Sequence, residues 1–233
     1  MLKLCRDKGI YLIEDAAQAH GASQVMLDGT ELVAGSMGDL GCFSFFPSKN
    51  MAVGGEGGML TTTVDGLTDA VSLVVNHGRS PSLESMQLGS NLRMSEVSAA
   101  IGTVQLSHLD SWVERRREIA EIYHQAFVDH PLLDTPNVRP GAKHAWHQYC
   151  LSTEYPDELV THLDQHGIDA RRYYVTPCHR QNVFAKHPQH GQILPVTAIL
   201  SSTLVAIPVM HELRDDEIER IIAAVTSFSV LQH

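Results

Sequence analysis

Asp15 and Lys49 have the side chains for joint acid–base and covalent chemistry. Asp15 stands just beyond the carboxyl end of an apolar run, Ile10-Tyr11-Leu12-Ile13, which reads as a strand. Open α/β sheets place their ligand groups at such strand ends. A carboxylate there can pair with a cationic ring nitrogen. Lys49 follows the end of a second strand, with Ser44 and Ser48 close by. A lysine in a partly buried site loses its proton more easily and can attack an aldehyde. Nearby hydroxyls and glycine amides can hold a phosphate. These demands are the ones pyridoxal phosphate makes: a Schiff-base lysine and a carboxylate for its pyridinium nitrogen. The spacing alone leaves plainer readings open, namely a turn-capping aspartate and a solvated lysine. The cluster Gly54-Gly55-Glu56-Gly57-Gly58 lacks the Gly-Lys-Ser/Thr ending of a Walker loop and reads as a turn.

The elements that must position these residues follow from pattern. Leu2 to Lys8 reads as the tail of a helix, stopped by Gly9. Ile10 to Ile13 is apolar at every position, which predicts burial on both faces, as in a helix-covered parallel sheet. Further strands are expected at Cys42 to Phe46 and Met59 to Thr63, and a helix at Leu67 to Asn76. Ser95 is a good N-cap for one long helix running to the turn Asp129-His130-Pro131. Its buried stripe would be Val97, Ile101, Val104, Ala120 and Tyr123, with Leu109 and Trp112 between them. A helix of that length leads from one domain into another. Beyond it, strands are expected at Gln148 to Ser152, Ile168 to Val175 and Leu204 to Ile207. Helices are expected at Pro156 to His166, Pro195 to Ser202 and Asp215 to Ala224. The class is therefore α/β, with a larger domain over 1–128 and a smaller α/β domain over 129–233.

Composition narrows the partners. The 233 residues carry a formal net charge of -10, which argues against a nucleic-acid surface. The basic run Arg115-Arg116-Arg117 reads as a solvated helix face. The four cysteines are scattered, without a C-x-x-C pair, and no signal peptide precedes them; free thiols in a reducing cytoplasm are expected. No apolar run is long enough to cross a bilayer. The 14 histidines are dispersed, and no metal site is expected.

A longer set of motifs is far more specific than the spacing. Ile13-Glu14-Asp15-Ala16-Ala17-Gln18-Ala19-His20-Gly21-Ala22 resembles the stretch that carries the ring-nitrogen aspartate in the DegT/DnrJ/EryC1/StrS family of sugar aminotransferases. Gly35-Ser36-Met37-Gly38-Asp39 and Cys42-Phe43-Ser44-Phe45-Phe46-Pro47-Ser48-Lys49-Asn50 resemble its lysine segment. Gly55 to Gly58, Asn76-His77-Gly78-Arg79 and Gly89 to Glu96 are similar to the family downstream, as are the Tyr174-to-His179 segment and Leu204 to Pro208. The likeness runs in order along nearly the whole chain.

The resemblance implies a fold-type-I transferase that uses pyridoxal 5'-phosphate. Lys49 would form the Schiff base and shuttle a proton. Asp15 would hold the pyridine nitrogen, Gln18 would lie near the phenolic oxygen, and Ser44 would bind the phosphate. Asn91 would reach the phosphate of a neighbouring subunit in a homodimer. Arg93, Tyr174 and His179 would approach substrate. The implied reaction moves an amino group from an amino acid, glutamate in most of the family, to a keto group on a nucleotide-linked sugar, as in polysaccharide biosynthesis. One branch replaces the lysine with histidine and dehydrates instead; Lys49 favours transamination. Family members also carry a segment ahead of the aspartate that completes the sheet and the phosphate site. The chain is accordingly expected to be N-terminally truncated, with a non-catalytic fragment, retaining partial cofactor binding or a dimer surface, as the alternative.

Overall fold

Parallel pairing of two strands organises the region around Asp15. In the computed structural model, which describes residues 1–230, β1 (Ile13–Asp15) runs beside β4 (Leu40–Ser44), with Asp15 opposite Cys42. The far side of β4 pairs antiparallel with β5 (Gly58–Thr61), giving the order β1-β4-β5. The chain between β1 and β4 folds as β2 (Ser23–Val25) and β3 (Glu31–Val33), antiparallel to each other. A short β6 (Ala142–Lys143) joins β2 on its other side. Helices α1 (Leu2–Asp7), α2 (Leu67–Val75) and α3 (Glu96–Leu106) complete this part with the start of α4 (Leu109–Phe127).

The backbone contacts divide the chain into two units: 1–114 with 138–147, and 115–137 with 148–233. The division falls inside α4, between Glu114 and Arg115, whereas the sequence pattern put the domain border at 128/129. The first unit has a cluster of Phe45, Met51, Val53, Leu109, Val113 and Ala145, all buried.

The second unit is built on the antiparallel pair β7 (Tyr149–Ser152) and β8 (Leu204–Ile207), with α5 (Pro156–Gln165), α6 (Pro195–Thr203) and α7 (Asp215–Thr226). Alternation is visible in β7, where Tyr149 and Leu151 are buried and their neighbours are not. Ile218, Ile221, Ala224 and Val225 form the buried stripe of α7 at helical spacing. Tyr123 and Phe127 of α4 bury fully in this unit, and the Tyr123 hydroxyl donates to the Pro208 carbonyl at 3.0 Å. Burial pushes the phenols of Tyr123 and Tyr149 well up, so both stay protonated.

Five expectations need correction. The basic run Arg115-Arg116-Arg117 is not a solvated face: Arg116 is 6% exposed and donates to the Val209 carbonyl. The apolar run 10–13 is not buried on both faces: Ile10, Tyr11 and Ile13 are 60%, 63% and 59% exposed. Only Ile13 of that run enters β1, which has a strand partner on one side alone among the described residues. Leu12 is engaged instead by Asp39, whose carboxylate accepts from the Leu12 amide at 2.6 Å and whose own amide donates back at 2.8 Å. The single long helix is two helices, because Ser107 and His108 close tight turns onto Val104 and Gln105. Its stripe divides accordingly: Leu109, Ala120 and Tyr123 are buried, whereas Val97 and Val104 are exposed. The strand at 168–175 reduces to one bridge, Arg171 with Ala206. The glycine-dotted stretch after Asp15 contains β2 and β3, which its pattern did not announce.

Candidate active site

The site grows from the carboxyl ends of β1 and β4. A strand alternates its side chains, so Glu14 and Asp15 face opposite ways. Glu14 serves structure. Its carboxylate accepts from the amides of Gly35 at 2.9 Å, Met37 at 2.5 Å and Gly38 at 2.5 Å, gathering that loop against the sheet. Gly35 has φ of 84° and packs so close that a Cβ would lie 2.3 Å from the Phe43 ring. Thr61 of β5 donates to the Gly35 carbonyl at 2.8 Å.

Asp15, turned the other way, is exposed. It spends one oxygen on a local turn, Oδ1 accepting from the Ala17 amide at 3.1 Å. The other oxygen carries no hydrogen bond among the described residues, so it is available to an N–H donor. Gln18 is exposed in the turn that follows, which closes where the Ala19 amide donates to the Ala16 carbonyl.

Ser44 ends β4, and its Oγ accepts a long bond from the Phe46 amide at 3.4 Å, leaving the hydroxyl proton to donate. The chain then turns, with the Lys49 amide donating to the Phe46 carbonyl at 2.9 Å. Lys49 is half-buried, and its ammonium makes no hydrogen bond or ion pair among the described residues. The next residue is an anchor: Asn50 is 2% exposed and donates to the Ala145 carbonyl at 2.7 Å.

His20 lies behind this strand end and was not singled out by residue type or spacing. It is 3% exposed, and its ring packs on Phe43 and Phe45 at centroid distances of 5.4 and 5.9 Å. Burial, and then the charge of Lys49, lower its pKa, while the Ser44 backbone pulls the other way. Neither ring nitrogen makes a hydrogen bond of normal geometry among the described residues. The only signal was its place in the motif between Gln18 and Gly21.

The other expected residues fall into separate groups. Asn91 and Arg93 come together: Arg93 donates through Nε to Asn91 at 3.2 Å and through Nη1 to Asn76 at 2.7 Å. Asn91 also bridges Asn76 through the backbone. Tyr174 and His179 belong to the second unit. Tyr174 is 68% exposed beside Tyr173, and His179 sits in a short 3-10 turn with Nε2 buried. No group of three metal-ligating side chains occurs among the described residues, and none of their helices is long and apolar enough to cross a membrane.

The residues of the first unit fit pyridoxal phosphate on their own geometry. They offer an unpaired amine in a half-buried position, a carboxylate with one open oxygen and a hydroxyl with a free proton, all near the ends of two paired strands.

Comparison with known proteins places the chain in a family. The chain is 32% identical over 221 residues to dTDP-3-amino-3,4,6-trideoxy-alpha-D-glucose transaminase of Streptomyces venezuelae, covering 95% of this chain and 57% of that protein. It is 35% identical to UDP-N-acetyl-3-dehydro-alpha-D-glucosamine 3-aminotransferase of Acidithiobacillus ferrooxidans, covering 95% and 58%. The structure of S. venezuelae DesV in complex with a ketimine intermediate superposes with a TM-score of 0.89 at 31% identity, covering 96% of this chain and 59% of that one. The chain thus spans less than two thirds of the length of these relatives. The family model for the DegT/DnrJ/EryC1/StrS aminotransferases matches residues 1–226, and the chain belongs to that family.

Proposed function

We propose that this chain carries the lysine-bearing part of a fold-type-I aminotransferase that uses pyridoxal 5'-phosphate. The reaction moves an amino group from an amino acid, glutamate by family habit, to a keto group on a nucleotide-linked sugar. The observation that carries the reading is the unpaired, half-buried Lys49 amine one turn beyond Ser44, on the strand paired with that of Asp15. The printed activities of two relatives, on dTDP- and UDP-linked sugars, support the substrate class. The four free cysteines fit a cytoplasmic setting.

When bound, the cofactor supplies an electron sink beside the substrate carbon. Lys49 Nζ would hold the cofactor, and its amine would take and return a proton at the substrate carbon. The open oxygen of Asp15 holds the proton of the ring nitrogen. Gln18 orients the ring from the adjoining turn. Ser44 Oγ donates to a phosphate oxygen. Asn91, presented beside Arg93, serves the phosphate of a second copy in a homodimer, and Arg93, Tyr174 and His179 meet substrate. The larger domain in this reading spans 1–128 and the smaller 129–233.

The test is an absorbance spectrum of the purified chain with added pyridoxal phosphate, then borohydride reduction and mapping of the labelled lysine. An absorbance band with the label on Lys49, lost in Lys49→Ala, is expected. Label spread over surface lysines instead would show a fragment without an assembled site.

A further inference from the structure

We propose that His20 is a positioning residue for Lys49: its ring, packed behind the end of β4, holds the pleat that presents Ser44 and starts the turn to the lysine. The proposal rests on the cofactor reading above, because it assigns the lysine its task.

The argument begins with strand geometry. Phe43 of β4 and Phe45 just past its end both lie against His20, and alternation puts Ser44 between them on the other side. His20 touches both phenylalanine rings, tilted at 54° and 42°, and so fixes which face they occupy. With that face pinned, Ser44 must project from the opposite one. Phe45 is itself 5% exposed, and the Phe45 amide donates to the Gly57 carbonyl at 2.8 Å, so the pinned position is also tied to the glycine turn. The turn to Lys49 starts at Phe46, the next residue.

A phenylalanine would serve packing alone, and the position holds an imidazole. Both of its nitrogens are buried without a hydrogen bond of normal geometry among the described residues. A buried polar ring at such a place asks for a role, and the backbone of Ser44 is near enough to act on it. Among the described residues, the charge of Lys49 acts on the ring, and Asp110 lines the same cavity of about 440 Å³ as His20. Burial and the lysine charge both favour the neutral ring. A neutral imidazole supports the strand end without a fixed charge that would repel the lysine ammonium. The charge of Lys49 thus acts on the ring of His20 from the turn that the ring supports.

The test uses the full chain. The imidazole titration of His20 is followed by NMR, its signal identified by its loss in His20→Phe, and compared with the same titration in Lys49→Met. Removing the lysine charge is expected to raise the His20 midpoint; an unchanged midpoint overturns the coupling whether or not cofactor binds. In parallel, the fraction of chain trapped by borohydride with pyridoxal phosphate at Lys49 is measured in wild type, His20→Phe and His20→Ala. His20→Ala is expected to lower trapping about tenfold and His20→Phe to recover most of it at the same folded fraction by circular dichroism. Equal trapping in all three overturns the positioning role. Trapping absent from wild type, with the His20 midpoint still responding to Lys49→Met, overturns the cofactor reading and leaves the coupling standing.

Discussion

Asn50 donates to the backbone carbonyl of Ala145 at 2.7 Å, tying the residue after Lys49 to a segment ninety-five positions along the chain. The bond is buried, so neither partner finds water when it is lost. Asn50→Ala leaves the carbonyl unmatched and should cost about 1–3 kcal/mol. Asn50→Asp should cost more, because an ionised carboxylate cannot donate and would face the carbonyl oxygen. Chemical denaturation of both variants checks the order. An aspartate as stable as the alanine would show that the bond does not anchor the lysine turn.

Gly35 is required for two separate reasons. Its φ of 84° is a conformation that side chains adopt only at a cost of about 1–2 kcal/mol. A Cβ there would also press into the Phe43 ring at 2.3 Å, and overpacking adds about 1–3 kcal/mol. Gly35→Ala should thus lose at least about 2 kcal/mol. By contrast, Gly29→Ala, which also has positive φ but open space around it, should lose only the backbone share. Thermal melts of the pair separate the two contributions.

How far the sequence foretold these features depended on whether a feature is local. Ser95 accepts from the Ser98 amide at 3.1 Å, as its type and place before the helix suggest. The helix over 156–165, with Pro156 in its first turn and Gly167 at φ of 70° beyond its end, follows from its caps and period. Lys49, Asp15 and Ser44 stood out as candidates through motif likeness, since residue type and strand ends alone allow solvated side chains. His20 and Asn50 were not legible, because their burial is decided by Phe43, Phe45 and Ala145, which no local pattern brings near. The break at Ser107 was hidden for a similar reason: both halves keep helical spacing, and only the backbone geometry shows the restart at Leu109.

Glu14 and Asp15 are adjacent carboxylates with opposite expected behaviour. Glu14 binds three backbone amides, and a charged acceptor is worth about 1.5–3 kcal/mol. Glu14→Gln keeps one acceptor oxygen but loses the charge and turns the other oxygen into an NH₂ donor facing a backbone amide, and should cost about 2 kcal/mol. Asp15 is exposed and makes only a turn bond, so Asp15→Asn should stay within about 0.5 kcal/mol of wild type. On the proposed function the same Asp15→Asn should slow turnover of the complete enzyme while leaving cofactor capture at Lys49 in place. Equal stability losses for the two variants would remove the division of labour across β1.

Acid stability should depend on His20 in a direction that its burial dictates. Its pKa in the folded chain lies below the value of 6.5 of a free histidine, through burial first and Lys49 second. The unfolded chain therefore binds the proton more readily. Linkage then makes stability rise with pH across the window from the lowered folded value up to 6.5, and stay flat above it. On lowering pH, His20's share is lost progressively once pH falls below 6.5. His211 in the second unit, lowered by burial and by Arg116 against the opposing effect of Glu212, contributes in the same direction. His20→Phe removes one of these two contributions and keeps the ring packing. Urea denaturation at pH 5, 6, 7 and 8 should then show a shallower acid loss in the first unit of the variant than in wild type. Parallel curves would mean that the His20 proton is not linked to folding, and that the buried ring is charged or uncharged alike in both states.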